Sequence, residues 1–415
     1  MIIQNSGVSF MAVCAVLVLC GTGCSREAET AQGPGDTASV PASIPDKPLA
    51  VFQEKLLGLS FETATLIPVK PHIKDRSRMQ EKVVEACLKL DQPTRAMAFI
   101  ERIDNWRRGA AYADWAFYQA ERGSTGRIPH YLDLARQIAL AASDWRRDRI
   151  KVKIARTYAL LGEHEQAEAF EDGVEDSEKG KVAGVRAGRG SEDSFDDMIQ
   201  RLDELIETGH VDVVRNALYA SAELFNRFYD TPAYRDSAQE RIKNSWDVLP
   251  VVLKIDLLVK LTGFALDHGD NVKANKLIDE AQQMMDNYQW RLRYRIPLMA
   301  QLAQIRFRAG NKEKALADAD RAGELFDKDG RLVVNIYRAE TLLPLAEAYQ
   351  SMGEMSRALA VYKRAVEASV QNPNSRPRAE DLSAVCSSMA VYKAAPDEAL
   401  WSRILQIKET LGDPW

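Results

Sequence analysis

The sequence predicts an all-α chain built as a solenoid of stacked antiparallel helical hairpins. Three observations carry that reading. Trp106-Arg107-Arg108 is followed by Ala113, Ala116 and Gly123, and Trp145-Arg146-Arg147 by Val152, Ala155 and Gly162, with the Gly 17 residues after the Trp in both copies. A second phrase, Tyr294-Arg295…Leu302-Ala303…Gly310, returns as Tyr337-Arg338…Leu345-Ala346…Gly353, with the Gly 16 after the Tyr each time. Leu, Ala, Glu, Arg and Lys dominate beyond residue 80 and period-two alternation is scarce, which favours helix over strand. Units of this length stack because a single hairpin cannot bury its apolar face alone.

The bounds agree. The chain has 415 residues, 46% hydrophobic and 28% charged, the composition of a folded soluble protein. That length holds two or three globular domains or one long array. A net charge of −5 supplies no field that would recruit nucleic acid.

Residues 1–24 read as a targeting segment. Val8–Cys20 is an apolar run too short for a stable spanning helix but suited to the core of a signal peptide. It leads into Gly21-Thr22-Gly23-Cys24, and here the chain resembles a bacterial lipoprotein signal. The resemblance implies lipidation (palmitate) at Cys24, export, and a membrane anchor. Ser25 rather than Asp after the Cys implies the outer membrane, facing the periplasm. Gly21 stands where the pattern usually has Leu, and no Lys or Arg precedes the apolar run. A plain secretory signal cut near the same place is the alternative, and it also implies export.

Residues 25–50 follow as a disordered tether rich in Ser, Ala, Pro, Gly and Thr, with too little apolar surface to order itself. Residues 51–170 read as N-terminal helical repeats. Hairpins turn at Asp91-Gln92-Pro93-Thr94, near Gly123, and at Gly162-Glu163-His164. Residues 171–197 run acidic, then Gly-rich and basic, then acidic. They are expected to form an exposed, charged Gly-rich loop, or a degenerate repeat, at the main internal boundary. Residues 198–415 resume the helical period as C-terminal repeats. Cys87 and Cys386 lie far apart in an elongated array, so each is expected to be a free thiol on a packed helix face.

The hairpin around Gly353 resembles a tetratricopeptide (TPR) repeat. Leu345, Ala346 and Tyr349 on its first helix, the Gly353 turn, and Ala358, Tyr362 and Ala365 on its second fall at that family's large-small-aromatic, Gly, and small-aromatic-small positions. Leu302, Ala303, Gly310, Ala315 and Ala322 fit the same frame, with Arg306 at the aromatic position. Leu261, Ala265, Gly269, Ala274, Ile278 and Ala281 fit it too, as do Ile154, Ala155, Tyr158, Gly162 and Ala167. Small side chains let the paired helices approach, and larger ones fill the groove between hairpins. The resemblance implies about seven to nine hairpins and a non-enzymatic scaffold or adaptor that holds a protein or peptide of the cell envelope in a concave groove. Arg156, Gln304, Arg308, Glu347 and Gln350 would line that groove.

One charge pattern adds to this set. Arg146, Arg149, Lys153 and Arg156 recur at i, i+3, i+7 and i+10 and form one helix stripe. The stripe offers a contact for an acidic partner through Arg149, Lys153 and Arg156. Alternatively it is a solvated face with salt bridges to neighbours such as Asp114 or Glu171. No phosphate loop, dinucleotide fingerprint or metal-ligand spacing is present, so no cofactor and no metal are expected. The tryptophans read as packing residues. The alternative function is a carbohydrate-active enzyme on an α/α-toroid. A closed ring with clustered carboxylates and Trp at its centre would favour that enzyme, and an open superhelix the scaffold.

Overall fold

The computed structural model describes residues 44–415. The signal segment, Cys24 and most of the tether lie outside the described residues. Nineteen α-helices, three short 3-10 turns and no strand make up what is described. The first five helices are α1 (Val51–Leu66), α2 (Val69–Lys89), α3 (Pro93–Ile100), α4 (Arg107–Glu121) and α5 (Ile128–Ala141). Next come α6 (Asp144–Leu161), α7 (His164–Glu171), α8 (Asp176–Arg189), α9 (Phe195–Glu207) and α10 (Val211–Arg227). The chain continues through α11 (Pro232–Ser245), α12 (Val251–Asp267), α13 (Asn271–Asp286), α14 (Leu292–Arg308) and α15 (Lys312–Asp329). It ends with α16 (Asn335–Ser351), α17 (Met355–Val370), α18 (Ser375–Val391) and α19 (Glu398–Glu409).

The turns repeat one piece of backbone chemistry. Helices α2, α4, α6, α12, α14, α16 and α18 each end with a residue at positive φ: Asp91, Gly123, Gly162, Gly269, Gly310, Gly353 and Lys393. The next N–H then reaches back to the carbonyl five residues earlier. Examples are Glu163 to Tyr158 (2.9 Å), Asp270 to Ala265 (2.8 Å) and Glu354 to Tyr349 (2.9 Å). This is the Schellman closure, which satisfies carbonyls left over at a helix end. Glycine reaches that conformation without steric cost, which is why five of the seven turns were readable as Gly positions.

Packing follows from the hairpins. Each even-numbered helix from α2 packs on the even-numbered helices before and after it, and odd-numbered helices lie over them. The even helices therefore form an inner layer and the odd ones, from α3 on, an outer layer. Small residues make the inner approach possible: Ala113, Ala155, Ala265, Ala303 and Ala346 are fully buried. The outer layer is spaced more widely and long charged side chains bridge it. Arg241 meets Asp203 at 2.5 Å, Lys243 meets Glu280 at 2.6 Å, Arg357 meets Asp320 at 2.9 Å and Arg403 meets Glu367 at 2.7 Å. Exposed pairs of this kind contribute about 0–1 kcal/mol each, so they fix register more than they stabilise.

Three expectations are corrected. First, the array does not stay an open rod. Helix α18 packs on both α1 and α2, so the succession of inner contacts closes on itself. Ser60 of α1 hydrogen-bonds the Ser383 carbonyl at 2.7 Å and the Ser387 hydroxyl at 2.8 Å, Gln53 donates to the Ala390 carbonyl at 2.8 Å, and Arg78 meets Glu380 at 3.2 Å. Cys87 and Cys386 thus sit on neighbouring helices; both are buried free thiols whose burial pushes them up to about 12.

Second, the segment expected as a Gly-rich loop over 171–197 contains α8, an inner helix packed tightly on α10. Its glycines serve close approach: a Cβ on Gly180 would lie 2.7 Å from the Asn216 Cβ and 3.0 Å from the Asn216 carbonyl carbon. No domain boundary falls there. Third, the end of the expected tether is ordered. The Ile44 N–H donates to Gln119 Oε1 at 2.9 Å, Asp46 accepts from the Thr94 N–H at 2.7 Å, and Lys47 meets Asp91 at 2.6 Å.

Candidate functional site

The inner layer has a concave side, and its side chains prove it. Lys153 on α6 reaches Glu81 on α2 at 3.6 Å, past the intervening α4. Second neighbours can meet only where the layer curves inward. Lys153 also pairs with Asp114 on α4, and Arg107 on α4 pairs with Glu81. Burial pushes the Glu81 carboxyl up, but the charges of Lys153, Arg107 and Arg149 outweigh it and hold the group below its usual range. Burial lifts the neighbouring Glu85 above that range.

Polar contacts then cross one junction of inner helices after another. Asn216 on α10 donates to the Ser177 carbonyl on α8. Lys260 on α12 meets Glu223 on α10 at 2.9 Å, and Tyr219 donates to Asp256. Gln301 on α14 donates to Asp256 at 3.2 Å, and Arg308 meets Asp267 at 2.8 Å. Gln304 donates to Ser351 on α16 at 2.8 Å, and Ser388 on α18 donates to Glu347 on α16 at 2.7 Å. Burial pushes Glu347 up to about 7 and raises Asp256, both well packed between helices.

The expected site residues fall into two groups. Lys153, Gln304, Arg308 and Glu347 each join one inner helix to another, and Gln350 donates to the Lys393 carbonyl at 3.4 Å. Asp114, one of the neighbours suggested for a solvated, salt-bridged stripe, pairs with Lys153. Arg149 and Arg156 differ. Arg156 lies over the Phe117 ring at 4.7 Å, and Arg149 lies 5.8 Å from the Trp106 ring; neither makes an ion pair among the described residues.

The repeated Trp-Arg-Arg phrase also resolves into geometry. Trp106 and Trp145 meet edge to face, 5.1 Å between ring centres. Arg107 stacks on Trp106 at 4.8 Å and Arg146 on Trp145 at 5.2 Å. Trp145 remains 46% exposed while Trp115 and Trp246 are buried. The tryptophans are thus distributed over helix interfaces, and the inner carboxylates Glu81, Asp256, Asp267 and Glu347 are each tied to a neighbouring inner helix. Closure of the array alone does not reproduce the arrangement expected of a toroidal glycosidase.

Sequence reasoning missed Lys181 and Arg215. Lys181 lies in the segment read as loop; as a helix, that segment sets it one turn after Glu178, which it meets at 2.6 Å. Burial lowers the Lys181 ammonium, Glu178 opposes this, and the charges of Arg149 and Arg215 lower it further.

Residues 339–371, within α16 and α17, match the tetratricopeptide repeat family. That match covers the hairpin whose residues carried the resemblance. A solved structure described as a circular tandem repeat protein with novel repeat topology and enhanced subunit contact surfaces is similar at 16% identity over 86% of this chain and 94% of its own, with a TM-score of 0.22. No curated protein matches the chain. An all-α repeat architecture with a TPR repeat fits a scaffold or protein-binding role.

Proposed function

We propose that this chain is an exported, lipid-anchored scaffold that presents the concave side of its inner helices to a protein or peptide partner in the cell envelope. The observation that carries the reading is the continuous inner layer of polar side chains, laid on a frame that includes a matched TPR repeat. Repeat arrays use such surfaces for binding because successive units extend one face without a new fold. The anchor is assigned to Cys24, with the outer membrane as its site; the lipoprotein-like Gly21-Thr22-Gly23-Cys24 and Ser25 support it. The toroidal enzyme is not favoured.

Two measurements test this. Incorporation of labelled palmitate into the wild type but not into Cys24→Ala supports the anchor, and equal labelling of both removes it. A photo-crosslinking amino acid at Gln304 or Gln350 should trap the same partner, while the same group at the exposed outer-layer Lys314 should trap none. Trapping from Lys314 alone would place binding on the outer layer and end the proposal.

A further inference from the structure

We infer that one rim of the array, at the loops leading into α12, α14 and α16, lies against a lipid bilayer, which extends the lipid-anchored reading of Cys24. The loop between α15 and α16 carries Leu332, Val334 and Ile336, which are 72%, 63% and 46% exposed. Single exposed apolar residues are ordinary on a protein surface, but three within five positions are not. The backbone at Val333 and Val334 is extended, so Val333 turns inward and is buried while its two neighbours turn out. Arg338 holds the loop in that shape by donating to the Val333 carbonyl at 2.8 Å and to the Arg331 carbonyl at 3.0 Å. Two polar backbone groups of the loop are thereby satisfied without water, as an apolar contact requires.

The neighbouring loops continue this surface at one level. Helices α12, α14 and α16 each have 17 residues. Arg308 meets Asp267 at 2.8 Å where α14 and α12 end, and Gln304 meets Ser351 at 2.8 Å near the ends of α14 and α16. Arg293 lies over the Tyr337 ring at 4.6 Å where α14 and α16 begin. The three helices are therefore parallel, and their first residues are level. The loops ahead of them bring the exposed Val248 and Tyr288 level with Leu332, and Arg291 and Arg331 are exposed beside them. Asp247, exposed in the first loop, is paired with Lys254 at 3.2 Å. A peptide needs a groove; apolar tips set in one plane, with an aromatic ring and arginines among them, fit acyl chains and anionic headgroups. The described chain enters at the opposite rim, where Lys47 meets Asp91 at 2.6 Å. The 20 residues from Ser25 to Ile44 span at most about 70 Å, and an inner helix is about 25 Å long, so Cys24 and this rim can reach one bilayer.

The test uses the full chain carrying the photo-crosslinking residue benzoylphenylalanine, on vesicles of phosphatidylethanolamine and phosphatidylglycerol with a radiolabelled lipid. Val272 and Met355, exposed at the starts of α13 and α17 on the opposite rim, are the control positions. The probe at Leu332 or Tyr288 should label lipid about tenfold more than at either control, the partition expected from burying one large apolar side chain. With the probe at Tyr288, Val334→Asp should cut the yield by a similar factor and leave the Tm unchanged, since Val334 is exposed. Equal labelling from the two rims overturns the inference, as does a Tyr288 yield unmoved by Val334→Asp. Adducts between two copies of the chain in place of lipid adducts also overturn it, and would make the rim a self-interface. If palmitate labels Cys24 while Leu332 labels no lipid, the rim is wrong and the anchor stands. If palmitate fails at Cys24 while Leu332 still labels lipid, the anchor reading falls and the rim stands.

Discussion

Arg306 is 1% exposed, and it occupies the position where the TPR frame has an aromatic residue. Its guanidinium pairs with Asp318 on α15 and donates to Gln282 Oε1 at 3.2 Å. Removing one member of a buried pair costs about 3–5 kcal/mol, because the remaining charge loses its partner without regaining water. The Asp318 side chain keeps 23% exposure. Gln282 still accepts from Arg306, so Asp318→Ala should fall at the lower end, about 3 kcal/mol. Native-state hydrogen exchange in α14 and α15 reads this directly. Protection should drop about 150-fold, since 1.4 kcal/mol is a factor of ten. Arg306→Tyr restores the aromatic and strands only a partly exposed acid, so it should cost about 1 kcal/mol or less. The double variant should recover most of the loss caused by Asp318→Ala. A change in protection below threefold for Asp318→Ala would refute the claim that Asp318 compensates the buried guanidinium.

Three further outcomes are expected. Gly180→Ala should destabilise by about 1–3 kcal/mol in urea unfolding, because its Cβ meets the α10 backbone, whereas Gly58→Ala, in open space within α1, should stabilise by about 0.5–1 kcal/mol. Equal effects at both sites would remove the close-approach argument for α8. Lys393→Gly should raise the urea midpoint, with a gain of about 0.5–1 kcal/mol, because Lys393 adopts φ 58° at the end of α18. Glu347, facing Ser388, Tyr392 and the charge of Lys89, has a folded pKa of about 7, above its unfolded value. The folded state therefore holds more protons between about pH 4.5 and 7, and stability falls as pH rises through that window. Thermal melts of Glu347→Gln across it should show a shallower fall than the wild type, and parallel profiles would exclude Glu347 as the source.

What the sequence revealed depended on how local each signal was. The turns at Gly162, Gly269, Gly310 and Gly353 were readable because a left-handed residue after a helix selects glycine. The turn at Asp91 was readable from the Pro93 and Thr94 that follow it, whereas the one at Lys393 adopts the same conformation with a side chain that advertises nothing of it. Helix α8 was misread because Gly180 and Gly184 look like loop residues one at a time; their four-residue spacing, one helix face against α10, carries the signal. Closure was illegible because its contacts, such as Ser60 with Ser383, join residues more than 300 positions apart and leave no periodic trace. In the candidate site the Trp-Arg-Arg phrase was visible, and Asp114 was named with Glu171 as a salt-bridge neighbour of the stripe that carries Lys153.

An open array can gain or shed a unit at either end and remain intact, since only one new interface is made or lost. A chain whose last inner helix seats against its first two has no such freedom. Each added or deleted hairpin would have to be absorbed by every other interface, or the Ser60 and Gln53 contacts would part. Unit number is thereby locked, and change in this protein is channelled into substitutions on a fixed count of helices.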